Sequence, residues 1–248
     1  MSSNFTTASA KYSELLSEVK KAFTDAYSND PECKRLQAMV DDGKATYKEA
    51  GDLAQRLGEL LSRIYKDKLQ DAYDSAVLPH IGLTEAERDR ILSETLHDEY
   101  KNIAAIAHST QAGINSAAGL HIQPVTPQAN EDKIAGIVKH TADTAAEHGS
   151  AAAMDDLHTA TTNYSRSVVD DSVKANASRQ YNMGLHPKII RRAEAGACKW
   201  CRDLAGEYDY PNVPQDVYRR HENCECTVTY YPGKSGGYAE DVWSKRRT

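Results

Sequence analysis

Two stretches of the sequence decide the fold: RRHENCECTVTYY at residues 219–231 and CKWC at residues 198–201. Together they hold four of the five cysteines in the chain and one of its nine histidines. A Cys-x-x-Cys turn aims two thiolates at one point, and a second chelating group follows after a loop. This is the layout of a structural zinc site. The candidate metal ligands are Cys198, Cys201, His221, Cys224 and Cys226.

Zinc in a structural site takes four ligands, and this segment offers five. Cys224 and Cys226 are two residues apart, so in an extended strand their side chains would face the same side. A site with three cysteines and one histidine and a site with four cysteines are therefore both open. The preferred set combines Cys198, Cys201, His221 and Cys224, and Cys226 is then a near neighbour that could replace His221.

The expected compartment favours metal binding over disulfide bonds. The first residues lack the apolar core of a secretory signal, and no segment approaches the ~20 apolar residues of a membrane helix. We therefore expect folding in a reducing cytoplasm. Other interpretations stay open, because CKWC could be a redox pair and the cysteines could form disulfides or remain buried thiols. A catalytic zinc would need an open position and a base, for which Glu222 and Glu225 are the neighbours in sequence.

The cysteines lie in a segment with a β-rich pattern. From Lys188 the residues KIIRRAEAG, GEYDYP and CTVTYYPG predict short strands and turns that end near Gly233. Two or three strands in about 45 residues bury too little apolar surface to be stable alone. Such a module needs a staple, and a structural metal is the usual one in the cytoplasm.

The chain before this module predicts helices. Thr46 and Glu49 form a capping box, and the apolar stripe that follows predicts one helix of about 30 residues. A second capping box, Thr84 with Glu87, begins the next helical stripe. These signals favour helical bundles or extended helical surfaces that pack on partners.

Pro124 and Pro127 forbid a helix in HIQPVTPQAN, which is the best linker in the chain. The expected fold class is mainly α, with an extended helical region followed by a small α+β, zinc-stapled C-terminal module. The expected regions are 1–123 (N-terminal helical region), 124–130 (linker), 131–187 (helical region), 188–233 (Cys/His β-rich module) and 234–248 (C-terminal tail).

Composition and motifs argue against an enzyme. The sequence contains no Walker loop, no dinucleotide glycine pattern and no nucleophile elbow. Long helices with narrow apolar stripes and 14 tyrosines suit packing on partners better than enclosing a substrate. A net charge of −6 is not typical of a nucleic-acid-binding protein. A zinc-containing nucleic-acid-binding protein stays the alternative, through a local patch whose members we expect to be solvated or ion-paired. The patch would comprise Arg191, Arg192, Arg219 and Arg220.

The segment GACKWCRDLAGEYDYPNVPQDVYRRHENCECTVTYYPG resembles the C-terminal signature of the MuF-type minor head proteins of tailed bacteriophages. The shared elements are the C-x-x-C pair, the turn at residues 204–208, the Arg-Arg-His lead-in at residues 219–221 and the C-x-C pair that enters a strand. The resemblance covers residues 165–245. Glu225 stands where the family commonly has arginine, which weakens any claim that this loop contacts phosphate.

The resemblance implies a non-enzymatic virion protein. Members of this family are minor components inside the procapsid or at the portal vertex, made in the cytoplasm of the bacterial host. There they help head assembly and later DNA delivery. The implied partners are the portal protein, the major capsid protein or both, with packaged DNA as a further contact and several copies in each virion. No membrane contact is implied for the folded protein in the virion.

Overall fold

The computed structural model describes residues 2–221 and 224–233, with side chains from Ala10 onward. The tail expected at residues 234–248 lies outside the described residues, as does Glu222. Across the described chain the fold is mainly α, with a small three-stranded sheet at the C-terminal end, which confirms the expected fold class. None of the described helices is both long and apolar enough to cross a membrane.

The elements follow one another from a long helical part to a short mixed part. The helices are α1 (Ser2–Asn29), α2 (Pro31–Asp41), α3 (Tyr47–Leu69), α4 (Leu78–Ile81), α5 (Glu85–Ala117), α6 (Glu131–His148), α7 (Ser150–Asn182) and α8 (Lys199–Asp203). The strands are β1 (Lys188–Arg192), β2 (Gly206–Asp209) and β3 (Thr227–Tyr231). They form an antiparallel sheet in the order β2–β1–β3, with Ile189 opposite Tyr208 on one side and Tyr230 on the other.

Side-chain caps explain where the long helices begin. Thr84 N donates to the Glu87 carboxylate at 2.9 Å, and Glu87 N donates to Thr84 Oγ1 at 3.2 Å. The capping box expected at the start of α5 is therefore confirmed. Before α3, Thr46 N donates to the Glu49 carboxylate at 2.8 Å, as the first capping box requires.

The single helix of about 30 residues expected after Thr46 is wrong, because α3 ends at Leu69. Asp74 has an extended backbone, and its carboxylate accepts from Ala76 N at 2.8 Å. A short acidic side chain that binds a nearby backbone N–H competes with continuation of a helix. The apolar stripe nevertheless runs on through the buried Tyr73, so its period alone does not reveal the break.

The proline-containing segment between α5 and α6 has neither helix nor strand, as expected. Hydrogen bonds from two helices nevertheless hold its backbone. The Asn176 amide on α7 donates to Val125 O at 2.9 Å and accepts from Val125 N at 2.8 Å. Asn115 on α5 donates to Ile122 O at 2.7 Å. The segment is thus bound to two helices through side-chain amides and is not a free tether.

By compactness the chain divides into two units, each built from separated segments. The first unit contains Met1–Arg35, Leu53–Ile103 and Gln128–Arg166. The second contains Leu36–Asp52, Ala104–Pro127 and the described part of Ser167–Thr248. Four of the five boundaries fall inside α2, α3, α5 and α7, and the fifth, between Pro127 and Gln128, falls in the segment between α5 and α6.

The core of the first unit is formed mainly by aliphatic side chains of α3, α5 and α7. Its buried members include Leu53, Leu57, Leu61, Ile91, Leu92, Leu96, Ile103, Met154 and Leu157. Each such side chain contributes roughly 1.5–3 kcal/mol on burial. A Cβ at Gly58 would lie 2.6 Å from Ser165 Oγ and 2.9 Å from Thr162 Cα, so a glycine is needed where α3 meets α7.

In the second unit, the described contacts between the β-rich part and the helices include an aromatic contact of the sheet and an ion pair of the segment before β3. The ring of Tyr230 on β3 meets the ring of Tyr47 on α3 edge-on, with centroids 6.4 Å apart. Arg220 bonds both carboxylate oxygens of Asp170 on α7, at 2.6 and 2.8 Å. Both charged side chains are almost fully buried, so removing either would leave an unpaired buried charge.

A buried carboxyl group lies in the core of the first unit. Glu99 on α5 is 1% exposed, and Ser165 Oγ donates to its Oε1 at 2.6 Å. Its Oε2 receives no hydrogen bond from the residues that the structure describes. Burial raises the pKa of Glu99 to about 8, against the opposing effect of the Ser165 hydrogen bond. In the folded chain this carboxyl is therefore mostly protonated at neutral pH.

We predict that Glu99→Gln stabilises the protein at neutral and alkaline pH. Because folding raises the pKa of Glu99, its stabilising contribution is complete below the unfolded pKa and is lost as the pH rises toward about 8. In urea unfolding, the gain from E99Q should be on the order of 3 kcal/mol larger at pH 8 than at pH 5. Glu85→Gln, at an exposed site on the same helix, is the control. An E99Q effect of the same size at both pH values would contradict the prediction.

Candidate metal centre

The first arm of the candidate centre is set by α8. Cys198 is the N-cap of this helix, and its Sγ accepts from Cys201 N at 3.4 Å. The first turn of α8 therefore brings both sulfurs to the same side, as the Cys-x-x-Cys spacing indicates. Cys198 is exposed, whereas Cys201 is buried.

The second arm comes from the segment before β3. His221 is half-buried, Cys224 and Cys226 are buried, and Cys224 N donates to His221 O at 3.2 Å. Both cysteines precede β3, which begins at Thr227. Their side chains nevertheless converge on Cys201 and share one side of the backbone before regular strand pairing begins.

The structure brings all five candidate ligands together. Cys201 Sγ lies 2.9 Å from His221 Nε2 and 3.7 Å from Cys224 Sγ, and Cys198 Sγ lies 3.3 Å from His221 Nε2. Donor atoms lie within 4.8 Å of one another in two groups, Cys198–Cys201–His221 and Cys201–Cys224–Cys226. Each group could hold a metal ion, and Cys201 belongs to both. Across residues 10–221 and 224–233 no other such group of His, Cys, Asp or Glu is found.

The thiols of the cluster experience different environments. The backbone N–H of Cys201 lowers the pKa of Cys198. Burial raises the pKa of Cys201 to about 12, and neighbouring thiols add to the effect. For Cys224, burial acts to raise the pKa, but the Cys226 backbone N–H and the charge of Arg220 together lower it. Protons and a metal ion compete for these sulfurs, and a bound metal would replace the protons.

Arg191 on β1 was missed as a part of the site. It is 1% exposed, and its Nη2 donates to Cys224 Sγ at 3.6 Å and to Cys201 Sγ at 3.8 Å. Its Nη1 donates to Val217 O at 2.6 Å and to Arg219 O at 3.0 Å. The signal was present in the sequence, since Arg191 lies two residues after Ile189 and so faces the same buried side of the strand.

The arginine patch expected on the surface is wrong for two of its four members. Arg191 is buried, and its guanidinium binds the sulfurs. The side chain of Arg220 is almost fully buried, and it pairs with Asp170. Arg192 is exposed, and Arg219 is exposed and pairs with Asp216 at 3.1 Å, as expected of surface arginines. The charge available for a nucleic-acid contact at this position is correspondingly smaller.

Two further residues define the surroundings of the cluster. Trp200 lies edge-on to the imidazole of His221, with ring centroids 5.6 Å apart, and the guanidinium carbon of Arg191 lies 5.4 Å from the Trp200 centroid. The remaining cysteine, Cys33, is buried in α2 within the first unit, and burial raises its pKa to about 12. All five cysteines are free thiols in this structure.

The chemistry of this donor set suits a thiophilic metal. Thiolate and imidazole ligands are those that Zn²⁺ prefers in structural sites. The chain itself supplies more donors than the four that such a site requires. The donors come from two arms separated by β2 and the turn Gln215–Tyr218, so a bound ion would link the two arms directly.

Comparison with known proteins gives one match. The model of the family described as VG15 protein matches residues 59–246, about three-quarters of the chain, including all five clustered Cys and His residues. No curated protein and no solved structure matches the chain. The family is phage-related. This agrees with the phage origin implied by the resemblance around the cysteines, but it does not identify the MuF-type family in particular. By the extent of this match, the chain belongs to the VG15 protein family.

Proposed function

We propose that this protein is a MuF-type minor head protein of a tailed bacteriophage whose C-terminal part is held together by one structural zinc ion. Membership of a phage-related family supports a virion-associated protein with a structural role. The finer assignment rests on the agreement in order and spacing between CKWC, the Arg-Arg-His lead-in and the C-x-C pair. In this proposal the protein lies inside the capsid or at the portal vertex.

The observation that carries the zinc proposal is the convergence of the Cys and His side chains in two overlapping donor groups. Tetrahedral zinc with bonds of about 2.3 Å to sulfur and 2.0–2.1 Å to nitrogen separates two sulfurs by roughly 3.8 Å and a sulfur and a nitrogen by roughly 3.5 Å. The contacts of Cys201 with Cys224 at 3.7 Å and of Cys198 with His221 at 3.3 Å are close to these values. The 2.9 Å contact of Cys201 with His221 would have to lengthen by roughly 0.6 Å to match this geometry.

We propose Cys198, Cys201, His221 and Cys224 as the ligands, with Cys226 as the neighbour. Cys224 shares a donor group with Cys201 and Cys226, but not with Cys198 and His221, so the two arms would have to close further around one ion. In this set every coordination position is filled from the chain, which is typical of structural rather than catalytic zinc. In this proposal the ion cross-links the two arms, and the surrounding residues hold the ligands in place. Helix α8 positions Cys198 and Cys201 of the first arm. Arg191 binds the backbone just before His221 in the second arm. We accordingly propose no enzymatic activity for this site.

We predict about one zinc ion per chain, lost when Cys201 is replaced. Cys201→Ser removes the one sulfur that belongs to both donor groups. No three of the remaining donors lie within 4.8 Å of one another, so Cys226 is not placed to replace Cys201. Metal content is measured by mass spectrometry after gel filtration of reduced protein. Cys33→Ala, which removes a buried thiol outside the cluster, is the control and should keep its zinc. If well-folded, reduced parent protein contains no bound metal, the proposal is wrong.

The helices suit a role in assembly. α5 and α7 are 33 residues each, or roughly 50 Å long at 1.5 Å per residue. The described helices present tyrosines at or near the surface, among them Tyr27, Tyr100 and the exposed Tyr181. Tyrosine is enriched at protein interfaces because its ring is apolar and its hydroxyl can reach water. We propose the portal protein or the inner face of the major capsid protein as the partner, with several copies in each virion and packaged DNA as a possible further contact.

Deletion of the gene from its phage tests this function. We predict a large fall in infectious, DNA-filled particles, restored by the parent gene or by Cys33→Ala in trans and not by Cys201→Ser. In complemented particles the protein should be detected by mass spectrometry and should resist protease until the capsid is opened. Normal yields of infectious particles after deletion, with no trace of the protein in purified parental virions, would show that the assignment is wrong.

A further inference from the structure

The Cys/His cluster contains a buried cation that the ligand assignment does not use. Among the described residues, Arg191 has the largest side chain that is fully buried. A buried guanidinium is costly unless an opposite charge and hydrogen-bond acceptors surround it. Arg220, the other buried arginine of this part of the chain, meets that requirement with the Asp170 carboxylate.

Among the described residues, Arg191 has no such carboxylate. Within residues 10–221 and 224–233, no Asp or Glu side chain lies within ion-pair distance of its guanidinium. Its acceptors are two backbone carbonyl oxygens and the sulfurs of Cys201 and Cys224. The sulfurs are the only groups among them that can carry negative charge.

A metal centre supplies the missing charge. Zn²⁺ bound by three thiolates and a neutral imidazole leaves net negative charge on the sulfurs, and N–H donors to metal-bound sulfur stabilise that charge. One sulfur bound by Arg191 belongs to the first arm and the other to the second. The guanidinium is therefore placed to neutralise the centre at the point where the arms meet.

The second terminal nitrogen of the guanidinium, Nη1, donates to the backbone. Nη1 binds the carbonyls of Val217 and Arg219, which lie four and two residues before His221. A planar guanidinium can bind two carbonyls and two sulfurs at once, whereas an ammonium group is a compact point charge without this fixed geometry. We propose that Arg191 is the counter-ion and positioning residue of the metal–thiolate centre, neutralising Cys201 and Cys224 and fixing the approach of His221. This inference rests on the zinc centre proposed above.

The test compares two variants. Arg191→Met keeps an unbranched side chain without charge, and Arg191→Lys keeps the charge without the planar guanidinium. Arg192→Met is the matched control, because Arg192 is the next residue on β1 and is exposed. Two properties of the full-length protein are measured: the rate of zinc release to a chelator, and the sulfur-to-metal charge-transfer band after replacement of zinc by Co²⁺. The band reports directly on the sulfurs, which a general loss of packing would not shift in a defined direction.

We expect Arg191→Met to release zinc about tenfold faster or more, as for other losses of outer-shell partners. Its cobalt band should move to longer wavelength, because sulfur without N–H donors gives up electron density more easily. Arg191→Lys should fall between parent and Met in both properties, and Arg192→Met should match the parent. Should Arg191→Met fail to fold, Arg191→Lys decides, because it too must show faster release and a shifted band.

Two results would overturn the inference in different ways. If the parent protein holds zinc and the Arg191 variants release it at the parental rate with an unshifted cobalt band, Arg191 is only a packing residue and the zinc centre stands. If the parent protein holds no metal, the zinc centre and this inference both fail. Faster release with a shifted band in the Arg191 variants alone supports both.

Discussion

The convergence of two chain segments on one Cys/His cluster is the constraint on which the C-terminal part of the molecule depends. Strands of four or five residues form a sheet that buries little apolar surface, and its core near β1 includes a buried arginine. Such a sheet needs a further link between its segments. The cluster can provide that link, since each of its two donor groups joins α8 to residues before β3 and could hold a metal ion.

The structure ties this cluster to helical elements of the same unit. Arg220 donates to the carbonyl oxygen of Cys226 at 2.8 Å and pairs through its other nitrogens with Asp170 on α7. The same α7 holds the segment between α5 and α6 through Asn176. Loss of the metal would therefore reach the helices through buried polar contacts, which lose more free energy when broken than surface pairs do. The structural metal ion that we propose would act on the helices through this connection.

Local signals in the sequence predict much of the fold. Contacts between residues that are distant in sequence are mostly not predicted by it. The capping box of Thr84 and Glu87 was confirmed because every atom involved lies within one turn of helix. The sequence groups the five Cys and His residues by the short spacings of metal chelation, and in the structure they lie in two overlapping donor groups. The burial of Arg191 and the pairing of Arg220 with Asp170 depend on tertiary packing, for which a single sequence offers only the alternation of a short strand. The sequence does not reveal the end of α3 because its apolar period continues past Leu69 to the buried Tyr73.

The central claim is that four side chains of this chain coordinate one zinc ion, and zinc X-ray absorption spectroscopy of the purified full-length protein tests it most directly. The account predicts a four-coordinate first shell of about three sulfurs near 2.3 Å and one nitrogen near 2.0 Å. A shell of four sulfurs would replace His221 by Cys226 and keep the structural site. A shell of oxygen and nitrogen atoms without sulfur, as for an ion held on the surface, would contradict the account.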